Sequence, residues 1–331
     1  MTETRRPTSP GAEEILGLYF PVLDHGFVSL VDYMGTDECI ERAARVSYGY
    51  GTRKAQLTRG LLRYLRRHLH TTPTEMVELK FHCCMPMFVA RQWIRHRTAS
   101  VNEYSGRYSL MPMLFYTPSE EQLQTQSRKN NQGRSGESVP ASQYAAAIGR
   151  WNEIRRLSQS AYEWMTHEEM ARELARIDLP LSTYTQWYWK IDLHNLLHFL
   201  KLRVDAHAQW EIQEYGRVMA GMLKRLAPHS YEAWIDYDVC GARMSRMELA
   251  ALQKLVQSSA DGLSARSGAA LDRPALEAVG LSKRELDELV SKLTPMERPD
   301  FELDLAKAKP AEHFAELMQA AVPKVDAAPT E

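Results

Sequence analysis

Between Arg91 and Tyr108 the chain reads RQWIRHRTASVNEYSGRY, four arginines (Arg91, Arg95, Arg97, Arg107) against one acid, Glu103. No other stretch constrains the fold as much. A guanidinium keeps its charge in any protein environment, and clustered like charge is unfavourable without compensation. The compensating negative charge must therefore come from elsewhere, with phosphate the best match. Arginine's planar fork meets phosphate oxygens two at a time. Gln92, His96, Thr98, Ser100, Asn102 and Ser105 add hydrogen-bonding groups between the arginines. Gly106 beside Ser105 lets backbone amides approach an anion closely.

The flanks place this segment on its scaffold. Thr72-Pro73-Thr74-Glu75 has the form of a capping box with proline at the first helical position. Val77, Leu79, Phe81 and Cys83 then alternate with Glu78, Lys80, His82 and Cys84, the pattern of a half-buried strand. Pro86 ends that strand and starts a short helix, Met87 to about Ile94. The arginines thus begin at a helix carboxyl end and continue into a loop, where binding residues tend to sit.

Elsewhere, Phe27 to Met34 predicts a strand, and Thr36 and Asp37 cap a helix with apolar positions Ile40, Ala43, Ala44 and Val46. Leu57, Leu61, Leu62, Leu65 and Leu69 predict a helix from about Lys54, whose Arg59, Arg63, Arg66 and Arg67 read as a solvated face. Gly49-Tyr50-Gly51 lacks the third glycine of a dinucleotide loop and is discounted. Glu120 to Pro140 is nearly devoid of apolar residues and predicts a long mobile loop. Tyr144, Ile148, Trp151, Ile154 and Ala161 mark a long helix, and another ends before Pro180. Tyr184 to Ile191 predicts a strand, and Leu193, Leu196, Leu197, Leu200 and Val204 a helical stripe, with helix again from Gln209 to Leu226. Strands and helices without regular alternation imply an α+β domain, a mixed sheet flanked by long helices. The organisation expected is a flexible leader over 1–25, one main domain over 26–240, and a helical and flexible extension over 241–331 in which Ser282 and Glu285 cap a helix through Leu293.

At 331 residues, 44% hydrophobic and 25% charged, the composition is that of a soluble globular protein. A net charge of −1 argues against wholesale nucleic-acid binding. No apolar run approaches the roughly 18 residues that cross a bilayer, and residues 1–14 carry no signal-peptide core. Four cysteines in this length make no disulfide framework, so a reducing cytoplasm is expected.

Arg95-His96-Arg97, seven residues, then Ser105 is the RHR-x7-S signature that resembles the flavin-dependent thymidylate synthases. Gln92-Trp93, Asn102-Glu103, Gly106-Arg107-Tyr108, the upstream His70 and Thr72-Pro73-Thr74-Glu75, and the downstream Arg176 in RIDLPL and Arg203 in LKLRVDAHAQWEI extend the resemblance over residues 26–235. It implies dTMP formation from dUMP, with methylenetetrahydrofolate as carbon donor and FAD, reduced by NADPH, as hydride donor. It also implies a homotetramer with its active sites between subunits. No cysteine here stands in the Pro-Cys context of the better-known thymidylate synthases. The chemistry agrees: side chains cannot supply the two electrons that make a methyl group, so a cofactor must.

By the same resemblance the nucleotide set is Gln92, Trp93, Ile94, Arg95, Glu103, Tyr104, Ser105, Gly106, Arg107, Arg176 and Arg203, with Ser105, Arg107 and Arg176 around the phosphate. The cofactor set is Thr72, Arg95, His96, Arg97, Glu103, Asp192, Leu193, His194 and His198, and His70 and Tyr108 are candidates for the pocket wall. Arg203 and Ser105 are the catalytic candidates. A fixed positive charge at Arg203 would stabilise negative charge developing on the uracil ring, while Ser105 lacks a nearby His–Asp relay and suits positioning better. Family members carry Asn where this chain has Asp192, and a carboxylate cannot donate a hydrogen bond. At 100° per residue His194 and His198 share one flank of their helix and Arg203 lies roughly 140–180° away, so one flank serves flavin and the other nucleotide. The His194-x3-His198 pair also has zinc-ligand spacing, but residue 195 is Asn rather than Glu, and no metal is expected. The competing class is a non-catalytic nucleotide- or RNA-binding module, which would be colourless and would bind RNA with steep salt dependence.

Overall fold

The structure, a computed structural model, describes residues 6–46, 58–128, 133–259, 262–265, 274, 276 and 278–323. Its centre is a five-stranded sheet, β1 (Tyr19–Val22), β2 (Gly26–Met34), β3 (Glu78–Pro86), β7 (Tyr184–Asp192) and β4 (Ser100–Glu103), in the order β1-β2-β3-β7-β4. Every pairing is antiparallel, which corrects the mixed sheet expected from sequence. The reason is connectivity: the chain re-enters each time at the end of the sheet where the preceding neighbour stops, so Pro86 at the end of β3 faces Tyr184 at the start of β7.

The first helices are α1 (Pro10–Glu13), α2 (Asp37–Arg45), α3 (Thr58–Arg67), α4 (Thr72–Glu75) and α5 (Met87–Trp93). After these come the hairpin β5 (Gln124–Gln126) and β6 (Arg134–Ser138), then α6 (Ala141–His167), α7 (Arg172–Ala175), α8 (Leu193–Arg203), α9 (Trp210–Leu226) and α10 (Pro228–Trp234). Strands and helices fall where the periodicities predict, except in three places. Within the segment expected to be a long mobile loop, Gln124–Gln126 pairs with Arg134–Ser138 as the β5–β6 hairpin, with residues 129–132 outside the described residues. The loop expected within the arginine motif contains β4, which pairs Ser100 with Lys190 and Glu103 with Trp187. The Thr72–Glu75 capping box is not made, because Thr71 occupies the N-cap position and Thr74 Oγ1 donates to the Thr71 carbonyl. The helix start at Lys54–Leu57 and the Gly49-Tyr50-Gly51 segment lie outside the described residues.

The core between sheet and helices is aromatic. Trp93, the last residue of α5, stacks on Phe199 of α8 at 5.0 Å and meets Trp187, Trp189 and Tyr215 edge-on. Such offset and edge-to-face pairs add to simple area burial. Tyr215 of α9 donates its hydroxyl to the Cys84 carbonyl at 2.8 Å, where a Cβ on Gly26 would sit 2.1 Å from that hydroxyl. Glycine is required there by close approach.

From residue 6 onward the expected leader is seated rather than free. Ala12 and Ile15 are fully buried, and Ser9 donates to the Arg225 carbonyl of α9 at 3.0 Å. Residues 301–323 also join the main unit rather than an extension: the final helix, Ala311–Ala321, inserts Phe314 against Phe27 and Tyr19, and Tyr19 and Lys309 exchange backbone hydrogen bonds. Residues 234–300 form a second compact unit. It holds α11 (Arg246–Leu255), the hairpin β8 (Val256–Ser259) and β9 (Gly262–Ala265), and α12 (Lys283–Leu293). Capping boxes at Ser245/Glu248 and Ser282/Glu285 start its helices, the second as read from the sequence. Its small core is Ala251, Leu276, Leu281 and Leu289. Among the described residues no helix is long and apolar enough to cross a membrane.

Candidate active site

The buried Trp93 fixes the end of α5, and the polar residues on either side of it are aimed outward. Arg91, Gln92 and Arg95 line a cleft of about 630 Å³ together with Arg203 at the end of α8, His207 to Gln209 beyond it, and Gln124 to Gln126, Gly133 and Arg134 of the β5–β6 hairpin. Four guanidinium groups and no carboxylate line this cleft. Gln92 Nε2 donates to Gln209 Oε1, tying the end of α5 to the start of α9. Among the described residues no carboxylate is within ion-pair distance of Arg91, Arg95, Arg97 or Arg203. A large, polar, cationic recess of this kind suits a phosphate-bearing ligand of nucleotide size.

The partner of Arg203 is an imidazole. Its Nε and Nη2 donate to His96 Nε2 at 3.1 and 2.9 Å. Burial, then the Arg203 charge and the nearby His198, push His96 down to about 4. His96 is thus neutral at pH 7, with its proton on Nδ1, and it orients Arg203 without cancelling its charge. His96 also faces His198, ring centres 6.2 Å apart, and so connects the two flanks of α8 that the helical count separates.

Ser105, Gly106, Arg107 and Arg176 line no part of that cleft. They form a second group beyond β4. Gly106 packs where a Cβ would lie 2.7 Å from Met111 Sδ and 3.1 Å from Arg176 Cδ. Ser105 Oγ accepts from the Arg107 amide at 3.3 Å, shaping the turn, and no histidine contacts it. Arg107 pairs with Glu173 of α7 at 3.2 Å in an exposed ion pair, which corrects the expectation that this arginine lacks an acid of its own chain. Exposed pairs of this type are weak and easily exchanged for a ligand. Tyr104 donates to the Leu110 carbonyl at 2.6 Å, and Thr185 donates to Glu103 at 2.8 Å.

The remaining candidates gather at α4 and α8. Thr72 opens α4, which packs beside α8, and the Leu193 amide donates to the Val77 carbonyl at 2.7 Å. Among the described residues the buried His194 Nδ1 has no hydrogen-bond partner, and His198 is exposed. Asp192 instead caps α8: its two carboxylate oxygens accept from the backbone and side-chain nitrogens of Asn195 at 2.9 and 2.6 Å. Trp93 and Leu193 are fully buried in the core, while Ile94 is exposed. His70 and Tyr108 are exposed, His70 stacked near Tyr64 at 5.9 Å.

Sequence reasoning missed the hairpin wall, Gln124–Gln126 and Arg134. The available signal was Arg128 and Arg134 flanking Gln132-Gly133, a turn-prone centre between polar strands.

Residues 29–229 match the family model "Thymidylate synthase complementing protein". A flavin-dependent thymidylate synthase of Ruegeria pomeroyi is 49% identical over 272 residues, 80% of this chain and 90% of that protein. One of Wolbachia pipientis is 47% identical over 288 residues, 87% of this chain and 96% of that protein. Coverage of that extent takes in part of the chain beyond residue 240, further than the resemblance read from motifs. A UMP/dUMP methylase from Streptomyces cacaoi, solved with 5-bromo-UMP, is structurally similar with a TM-score of 0.60 at 31% identity, covering 66% of this chain and 98% of that one. With its RHR-x7-S motif and relatives of this identity and coverage, the chain belongs to the flavin-dependent thymidylate synthase family.

Proposed function

We propose that this enzyme methylates dUMP to dTMP, with methylenetetrahydrofolate donating the carbon and NADPH reducing a bound FAD. The observation that carries this reading is the cleft of Arg91, Arg95, Arg134 and Arg203, cationic and free of lining carboxylates, in a chain of this family. FAD suits the residues beside it: His194 keeps a buried, unpartnered Nδ1, and Arg95 and Arg97 are exposed cations with no acid at ion-pair distance among the described residues. Thr72, Arg95, His96, Arg97, His194 and His198 would hold the flavin, which when bound supplies the hydride. Arg203 would sit at the uracil edge, where its positive charge, not offset by a carboxylate, stabilises negative charge developing on the ring. Gln92 sets the edge of the base, and Ser105, Gly106, Arg107 and Arg176 hold the phosphate.

Two groups of nucleotide residues that do not share one cleft support an active site completed by a second copy, in a homotetramer. An uncovered apolar stripe on α6 supports the same reading: Ile154, Leu157 and Trp164 are 55%, 54% and 58% exposed along one helical face. The four cysteines are unpaired, in keeping with a reducing cytoplasm. The test is dTMP formation from dUMP, methylenetetrahydrofolate and NADPH, with and without added FAD. Flavin absorbance and dTMP release are the expected results. A colourless protein that makes no dTMP and binds RNA with steep salt dependence would overturn the reading.

A further inference from the structure

We infer that the β5–β6 hairpin is a working wall of the nucleotide cleft, latched in place by Arg134, and that it strengthens dUMP binding beyond what the arginine motif provides. This rests on the reading of the cleft as the dUMP site. The latch is a buried ion pair. Arg134 Nη2 donates to Glu211 Oε1, Nη1 donates to Gln122 Oε1 at 2.7 Å, and the guanidinium lies 5.9 Å from the Trp210 ring. Glu211 is only 2% exposed. Apart from Arg134, the partner its carboxylate shows is the Tyr116 hydroxyl at 3.0 Å, and Oε2 is buried with none. Removing one partner of such a pair leaves an uncompensated buried charge, so Arg134 holds the hairpin down firmly.

The strands themselves are stitched. Thr125 and Ser135 hydroxyls meet at 2.6 Å, the Gly136 amide donates to Gln124 Oε1 at 3.1 Å, and Gln126 Nε2 donates to the Gly133 carbonyl at 3.1 Å. A stiff hairpin on a fixed latch is a wall, not a loose flap. It lines the same cleft as Arg91, Arg95 and Arg203. Without it those arginines would occupy an open ledge in water. A second wall narrows the solvent between them, and a charged cleft with low-dielectric sides concentrates its field on an anion. A hairpin present for stability alone would have no electrostatic influence on dUMP.

Gln126 separates the two cases, since it is exposed and hydrogen-bonds only within the hairpin. Isothermal titration of the flavin-loaded, full-length enzyme with dUMP would compare the parent with Gln126→Glu, Gln126→Lys and Arg134→Gln. Gln126→Glu should weaken dUMP about fivefold and Gln126→Lys should match or tighten the parent, both at unchanged flavin content. Arg134→Gln should weaken dUMP about tenfold or more, seen as a higher KM for dUMP with kcat within about threefold of the parent. If Arg134→Gln fails to fold, the oppositely charged Gln126 pair decides alone. Parent-like dUMP affinity in both Gln126 variants would overturn the hairpin's role while leaving the dUMP reading intact. A parent enzyme that retains flavin but binds no dUMP would sink the dUMP reading and this inference with it.

Discussion

Arg203 is held by a neutral imidazole, and this choice of partner has consequences that a carboxylate would not. A carboxylate at about 3 Å would orient the guanidinium equally well but would offset the charge that the reacting ring needs. Arg203→Ala should therefore leave flavin absorbance per chain unchanged and reduce dTMP turnover by about 10²–10³-fold, the usual size for a lost electrostatic stabiliser. Parent-like turnover would remove Arg203 from the chemistry. The same contact sets a pH dependence. His96 in the folded chain takes a proton only near 4, against 6.5 for the free side chain. Between those values the unfolded state binds more protons, so this group's contribution to stability is present above 6.5 and is lost as the pH falls toward 4. His96→Asn should flatten that part of the Tm-against-pH curve, and an identical slope in both proteins would show that His96 is not held neutral.

At the scale of elements, α8 joins both halves of the site. Its start carries His194 and His198, its end carries Arg203, and its first turn is closed by Asp192. Because each Asp192 carboxylate oxygen accepts from Asn195, the side chain is placed to start the helix. Asp192→Ala should cost about 1 kcal/mol of stability in denaturant unfolding, Asp192→Asn only a few tenths, and neither should change flavin content. Loss of flavin from the alanine variant would restore Asp192 as a cofactor contact. Helix α5 acts in a similar way from the other side, with Trp93 wedged among Phe199, Trp187 and Trp189 so that Gln92 and Arg95 face the cleft.

For the whole molecule, the proposed homotetramer rests on two groups of candidate nucleotide residues that do not share one cleft. In that proposal the exposed α6 stripe of Ile154, Leu157 and Trp164 is what a second copy covers, since burial of apolar area is the main drive for association. Leu157→Asp should dissociate the assembly in sedimentation velocity and remove dTMP formation with it, while each copy keeps its helical circular dichroism. An active, fully dissociated variant would show that each copy works alone.

Much of this was legible in order along the chain. Alternation over Val77–Cys84 and the leucine stripe from Leu193 locate β3 and α8 because each depends on local period alone. The arginine motif is equally legible, since its chemistry lies in residue types at fixed spacing. Three things were not. The antiparallel order depends on which strand ends meet in space, and β4 is a strand only because Ser100–Glu103 finds the open edge of β7. The Arg134–Glu211 latch joins residues 77 apart, a buried charge pair that no local pattern reveals. Local sequence determined the elements and the anion chemistry; tertiary packing decided which arginines share a cleft, because burial and charge pairing are settled only when distant segments exclude water together.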